Sequence, residues 1–178
     1  MKPDTLPSLV HRAQAGDVDA FGEIYAALRQ DLYRFAYYQL SSPHLAEDAV
    51  SDCVLRAFQS ITKLKKAQSV RSWFCSILLN CCREKQREKA LMATQVDLDD
   101  CERLLSKNSD PASHAALHAA LGQLPEDDRE LLLLSELFGY DSKELALLLG
   151  SKSGTIRSRL SRTKAALRTK LSEGDDQA

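Results

Sequence analysis

The chain has 178 residues, 44% of them hydrophobic, enough for one domain or two small ones with ordinary cores. Its formal net charge is −1, so no bulk excess of charge marks a nucleic-acid or membrane partner. No apolar run approaches the ~20 residues that cross a bilayer, and the polar start Met1-Lys2-Pro3-Asp4 lacks the apolar core of a signal peptide, which predicts a soluble, cytoplasmic protein with no membrane insertion.

Helical periodicity dominates and no alternating strand is evident, so the predicted fold is all-α. Thr5 to Ala15 reads as a short helix ended by Gly16. Asp17 then caps a long helix through about Leu40, with Phe21, Ile24, Tyr25, Leu28, Leu32, Phe35 and Ala36 on its buried side. Ser41-Ser42-Pro43 breaks that helix. Pro43 suits the first turn of a third helix reaching about Ile61, with Ala46, Ala49, Val50, Cys53, Val54, Ala57 and Phe58 inward. Lys63 to Gln68 is a basic loop, and Ser69 caps a fourth helix whose apolar face is Val70, Trp73, Phe74, Ile77, Leu78 and Cys81. Trp73 reads as the anchor of this N-terminal core, and Arg83 to Lys89 as a charged tail.

From about Ala90 to Ser113 the periodicity fails, and five acids stand against Arg103 and Lys107. This predicts a flexible acidic linker over 91–112. Its roughly 23 residues would extend to ~80 Å but average ~25–30 Å as a free coil. Helices resume from Ser113 to Leu121, and Pro125 opens another over Glu126 to Phe138.

The last third carries the most chemistry. Leu145, Leu148 and Leu149 give one short helix an apolar face, Gly150 supplies a stop, and Ser153-Gly154 caps the next helix, in which Ile156, Leu160 and Leu167 pack inward. Thr155, Arg157, Ser158, Ser161 and Arg162 point outward, side-chain types that reach phosphates and base edges. From Lys152 to Lys170 seven residues are basic and none acidic, so the near-neutral total hides a polarised surface. A helix-turn-helix explains both the turn and the one-sided charge.

These residues resemble the extracytoplasmic-function (ECF) subfamily of bacterial RNA polymerase sigma factors. The resemblance is carried in order by Asp19-Ala-Phe-Gly-Glu-Ile-Tyr25, Leu32-Tyr-Arg-Phe-Ala36, Ala46-Glu-Asp-Ala-Val-Ser-Asp52, Leu55-Arg-Ala-Phe58 and Ser72-Trp-Phe74 with Asn80. It continues through Leu124-Pro-Glu-Asp-Asp-Arg-Glu130, Glu144-Leu-Ala146, Leu149-Gly150 and Gly154-Thr-Ile-Arg-Ser-Arg-Leu-Ser-Arg162. It implies a region 2-like helical domain over 1–90 and a region 4-like helix-turn-helix domain over 113–178, acting without cofactor, metal or catalytic residues to direct polymerase to promoters with a −35 and a −10 element.

The resemblance further implies that Asp48, Asp52 and Arg56 dock on the coiled coil of the largest subunit of core polymerase. The two acids, four apart on one helical face, suit a basic partner helix. Lys63, Lys65, Lys66, Gln68, Ser69, Asn80 and Arg83 become candidates for the single-stranded −10 element, since melted DNA needs cations for phosphates and a pocket for an unstacked base. Thr155, Arg157, Ser158, Arg159, Ser161, Arg162 and Lys164 become candidates for the duplex −35 element. If about five of the seven cations neutralise phosphates, the salt slope of that half is roughly −4. An anti-sigma factor is a further partner implied by the family. Two departures stand out. Ser51 occupies a position where the family commonly has glutamine, and Cys75-Ser-Ile-Leu-Leu-Asn80 has no cation, which implies weak intrinsic melting and few well-matched promoters.

Two other classes compete. A stand-alone LuxR-type regulator shares the Glu-Leu-Ala and Thr-Ile-Arg pattern, but nothing in residues 1–90 resembles its usual sensing half. A redox or metal sensor would use Cys75, Cys81 and Cys82; the five cysteines lack Cys-x-x-Cys spacing and no histidine lies at ligand distance in sequence, so reduced structural thiols are expected.

Overall fold

In a computed structural model of the chain, the structure describes residues 5–91 and 111–175. The chain divides into two compact units, Met1–Leu104 and Leu105–Ala178, and among the described residues every regular element is helical. The expected acidic linker falls largely on 92–110, outside the described residues.

The first unit is built from α1 (Leu6–Gln14), α2 (Val18–Leu40), α3 (Pro43–Ser60), two short 3₁₀ turns (Ile61–Lys63 and Ala67–Ser69) and α4 (Val70–Leu91). Asp17 starts α2 as expected: its carboxylate accepts from the Ala20 N–H at 3.0 Å and from Arg12 at 2.9 Å. The break before α3 uses Ser41 in the left-handed region (φ 50°), then Ser42, whose Oγ accepts from Leu45 N–H at 3.4 Å, with Pro43 in the first turn. The buried seam of α3 is Ala46, Ala49, Val50, Cys53 and Ala57. Small side chains let α2 and α4 approach α3 closely, with Ile24, Leu28, Leu32 and Phe35 supplied by α2 and Phe74 and Leu78 by α4.

Two expectations about this core are corrected. The anchor is Phe74, fully buried, rather than Trp73, which is half-buried and meets Phe74 edge-on at 5.4 Å. Burying a phenylalanine contributes about 1.5–3 kcal/mol. Phe58 is 46% exposed because it lies one helical step off the Ala57 seam; its ring meets Phe21 edge-on at 5.1 Å. Tyr25, Val54 and Ile77 are half-buried.

The second unit comprises α5 (Pro111–Gly122), α6 (Glu126–Phe138), α7 (Ser142–Leu148) and α8 (Ser153–Asp175). Pro125 stands just before α6, and its carbonyl accepts from Asp128 and Arg129. Gly139, at φ 72°, closes the helix. Asp141 and Glu144 form a reciprocal capping box on α7: Asp141 Oδ1 accepts from Lys143 and Glu144 N–H at 2.7 and 2.8 Å, and Glu144 Oε2 accepts from Asp141 N–H at 2.9 Å. Those N–H donors hold the Asp141 carboxyl below its ordinary value of 3.8, so the cap contributes above that pH and is lost as pH falls through the lowered native value. After α7, Gly150 at φ 62° turns the chain and Ser151 N–H donates to Ala146 carbonyl at 2.9 Å, the bond that seals a left-handed helix end. Ser153 opens α8 itself instead of preceding it, and Ile156 N–H donates to the Lys152 carbonyl. The core collects Leu121, Leu124, Leu131, Leu134, Leu145, Ile156 and Leu160; Thr163 continues the buried stripe of α8, and Leu167 is half-buried.

Candidate nucleic-acid interface and docking face

On α3, Asp48, Asp52 and Arg56 all reach the surface, but only Asp48 has no close ion pair among the described residues. Arg56 makes a bidentate pair with Glu84 of α4, at 2.9 and 2.6 Å, and Lys85 reaches Asp52 at 3.2 Å. The charged tail of α4 thus lies along the same edge as the acidic face. Hydrogen bonding to Arg56 holds the Glu84 carboxyl below its ordinary value, and Asp52 holds the Lys85 ammonium above its own. The face also contains an apolar member missed in the sequence: Leu55, 57% exposed, three residues beyond Asp52 and seven beyond Asp48. Its position on the acidic stripe, off the Ala49–Cys53–Ala57 seam, is the signal that identifies it.

The basic loop is an ordered strap. Ile61, Leu64, Ala67 and Val70 are buried at a spacing of three, matching the three-residue turn of the 3₁₀ segments, and Lys63, Lys65, Lys66 and Gln68 are left outside. Ser69 is half-buried at the end of the second turn, immediately before α4. Asn80, exposed, and Arg83, half-buried, lie on α4 eleven and fourteen residues further on, about 16–21 Å along the helix axis. They share a polar stripe with Ser69 and Ser76 that runs along α4 away from the loop lysines. Arg71 turns instead toward Asp31 of α2, at 3.4 Å.

On α8 the outward residues are Thr155, Arg157, Ser158, Ser161 and Arg162, all exposed. Arg162 Nε donates to Ser158 carbonyl at 3.4 Å and Ser158 Oγ to Thr155 carbonyl at 3.0 Å, bonds within the helix that leave the face open. Two candidates are placed differently. Arg159 points back at α6, where Asp128 Oδ1 accepts from its Nε at 3.0 Å and from its Nη2 at 2.6 Å. Lys164 pairs with Glu136 at 2.7 Å, and Lys170 donates to Gln123 at 2.9 Å. Acidic α6 therefore neutralises part of the basic helix, and Arg157, Arg162 and Arg168, with Lys152 just before the helix, remain as outward cations.

Cys53, Cys75, Cys81 and Cys82 are buried thiols, and the Cys53 thiol donates to the Phe74 carbonyl at 3.6 Å. Burial pushes the Cys53 thiol well above the ordinary range and raises that of Cys81. Among the described residues no cluster of His, Cys, Asp or Glu could hold a metal, and no helix is long and apolar enough to cross a membrane. Thiolate is the reactive form, so iodoacetamide at pH 8 should leave these four cysteines unmodified in native protein and alkylate them in denaturant. Peptide mass mapping checks this; native alkylation at the rate of a free thiol would reopen the sensor reading.

Two families match along the chain: "Sigma-70 region 2" over residues 24–91 and "Sigma-70, region 4" over residues 114–167. The chain is 28% identical over 153 residues to the ECF RNA polymerase sigma factor SigM of Mycobacterium tuberculosis, covering 86% of this chain and 78% of that one. Among solved structures the fold is similar to that of CnrH in complex with the cytosolic domain of CnrY, with a TM-score of 0.70 at 23% identity, covering 96% of this chain and 99% of the other. It is also similar to the sigma factor RpoE of Bartonella quintana in complex with the anti-sigma factor NepR, with a TM-score of 0.67 at 23% identity over 85% of this chain and 96% of the other. Regions 2 and 4 in this order, with a relative matched over most of both chains, place the chain in the ECF subfamily of bacterial RNA polymerase sigma factors.

Proposed function

We propose that the chain docks on the coiled coil of the largest polymerase subunit through α3, holds the melted −10 strand with the strap and the polar stripe of α4, and reads duplex −35 DNA with the outer face of α8. The observation that carries this reading is the α8 face. Two serines, a threonine and two arginines stand exposed on the second helix of a helix-turn-helix whose Arg159 and Lys164 are tied to α6. The domain roles follow: region 2-like 1–90 and region 4-like 113–178, joined by 91–112. A factor of this kind works beside DNA in the cytoplasm and is no enzyme. The complex of RpoE with NepR supports an anti-sigma factor as a further partner. The region 2 match over 24–91 leaves the LuxR-type alternative without its sensing half.

Run-off transcription from a genomic fragment library, with core polymerase present or absent, tests the proposal. Discrete start sites are expected only with both proteins. Replacing Lys63, Lys65 and Lys66 together by Ala should lower their use about tenfold and leave affinity for core within about twofold, since these cations are exposed and lie outside the α3 docking face. Tight polymerase-independent binding to promoter duplex, with no new start sites, would sink the reading.

A further inference from the structure

The strap that carries Lys63, Lys65 and Lys66 is held by a residue from the far end of the unit's sequence. Gln14, the last residue of α1, donates from its single amide nitrogen to two carbonyls, Ile61 at 3.0 Å and Leu64 at 2.8 Å. Leu64 N–H also donates to the Ile61 carbonyl at 3.1 Å, so both ends of the first turn are fixed to each other and to α1. Below this clamp, α1 buries Leu9, Val10 and Ala13 and packs against both 3₁₀ turns, α2 and α4. The same end of α1 is also tied to α2. Gly16 at φ 97° and the Arg12–Asp17 pair at 2.7 Å set the angle between α1 and α2. Helix α1 lies wholly outside the matched residues 24–91.

We infer that Gln14 is a positioning residue for −10 recognition: through two carbonyls it fixes the strap's backbone, and with it the direction in which the exposed lysines and Gln68 meet the unstacked strand. The inference rests on the proposed −10 role of the strap. Short 3₁₀ segments have poor internal hydrogen-bond geometry and hold their shape through outside contacts. The Ile61 and Leu64 carbonyls fall within one turn of Lys63 and Lys65, so releasing them loosens the segment that presents those cations. Recognition geometry tolerates little such loosening, because the wrong and right bases differ by contacts of hydrogen-bond precision.

Because both bonds use the amide as donor, the chemistry of the position makes sharp demands. Gln14→Lys retains donors for two carbonyls, Gln14→Met keeps length and removes them, and Gln14→Glu aims an acceptor at two acceptors. The experiment measures run-off transcription by reconstituted holoenzyme from a matched promoter and from the same promoter with a substituted −10 element, alongside core affinity and thermal unfolding of the full chain. Gln14→Met and Gln14→Glu should reduce matched-to-substituted discrimination about fivefold or more, with core affinity within about twofold, and Gln14→Lys should restore most of it. Unchanged discrimination in Gln14→Met and Gln14→Glu overturns the inference. So does a parallel loss of stability, core affinity and transcription, or failure of Gln14→Lys to restore discrimination, since a merely structural strut would give either result. If the triple lysine substitution leaves −10 use intact, the proposed role of the strap fails instead, whatever the Gln14 variants show.

Discussion

Holoenzyme assembled with Asp48→Lys and Leu55→Glu combined should form at least about a hundredfold more weakly than wild type. Asp48 is the acid of the α3 face not committed to an ion pair within the fold, and Leu55 is the face's exposed apolar side chain. A desolvated apolar anchor contributes about 2 kcal/mol or more to a docking interface, and like charges set against a basic partner cost several more. At 1.4 kcal/mol per tenfold, a hundredfold is the lower bound of that combination. Reversing Asp52 would be a poorer test, because Lys85 sits 3.2 Å away with only 17% of its side chain exposed, and the new lysine would disturb α3 against α4 as well as the partner. Arg56, held bidentately by Glu84, has the same defect. Fluorescence anisotropy of labelled chain titrated with core polymerase, at low and moderate salt, reads the effect; circular dichroism should stay unchanged, as expected for positions at the surface and outside the buried seam. Wild-type affinity in the double variant would remove α3 from the docking reading.

The helices were legible because their ends are written in local chemistry. Asp17, Ser42-Pro43 and Asp141 with Glu144 each act within four residues of where they stand; the structure uses Asp17 and Pro43 as the sequence suggests, and the Asp141–Glu144 box, equally local, is added by the structure. Tertiary choices were less legible. Trp73 and Phe74 are neighbours on one helix, and periodicity alone gives both to the apolar face; the narrow seam of Ala49, Cys53 and Ala57 on α3 admits the phenylalanine and leaves the larger indole at the margin. The clamp from Gln14 spans 47 and 50 residues, and nothing near the strap in sequence announces it. The strap's order was in principle readable, since Ile61, Leu64, Ala67 and Val70 recur every third residue, a period that belongs neither to an α-helix nor to a strand.

The same limit applies to the basic helix, where counting cations overstated those available to DNA and a matched set of substitutions now separates them. Arg157→Ala and Arg162→Ala together should weaken binding of the second unit's face to −35 duplex about 10–100-fold and reduce the salt slope by about 2, close to 0.9 for each phosphate left without its cation. With Lys152, Arg157, Arg162 and Arg168 outward, the full slope should be no steeper than about −3.6. Arg159→Ala should behave in the opposite way. It removes a charge-assisted bond to Asp128 that is two-thirds buried, so it should cost about 1 kcal/mol of stability and a few degrees of melting temperature. Its salt slope should stay unchanged, since that guanidinium is held by Asp128 of α6. Arg159→Lys should recover little of the loss, because an ammonium cannot reproduce the two-nitrogen grip on one carboxylate oxygen. Duplex titrations at several salt concentrations with holoenzyme, paired with thermal melts of each variant, distinguish the two kinds of arginine. A slope reduced by Arg159→Ala, with stability intact, would mean that α6 releases this side chain on DNA, and that the cation face is larger than the free fold presents.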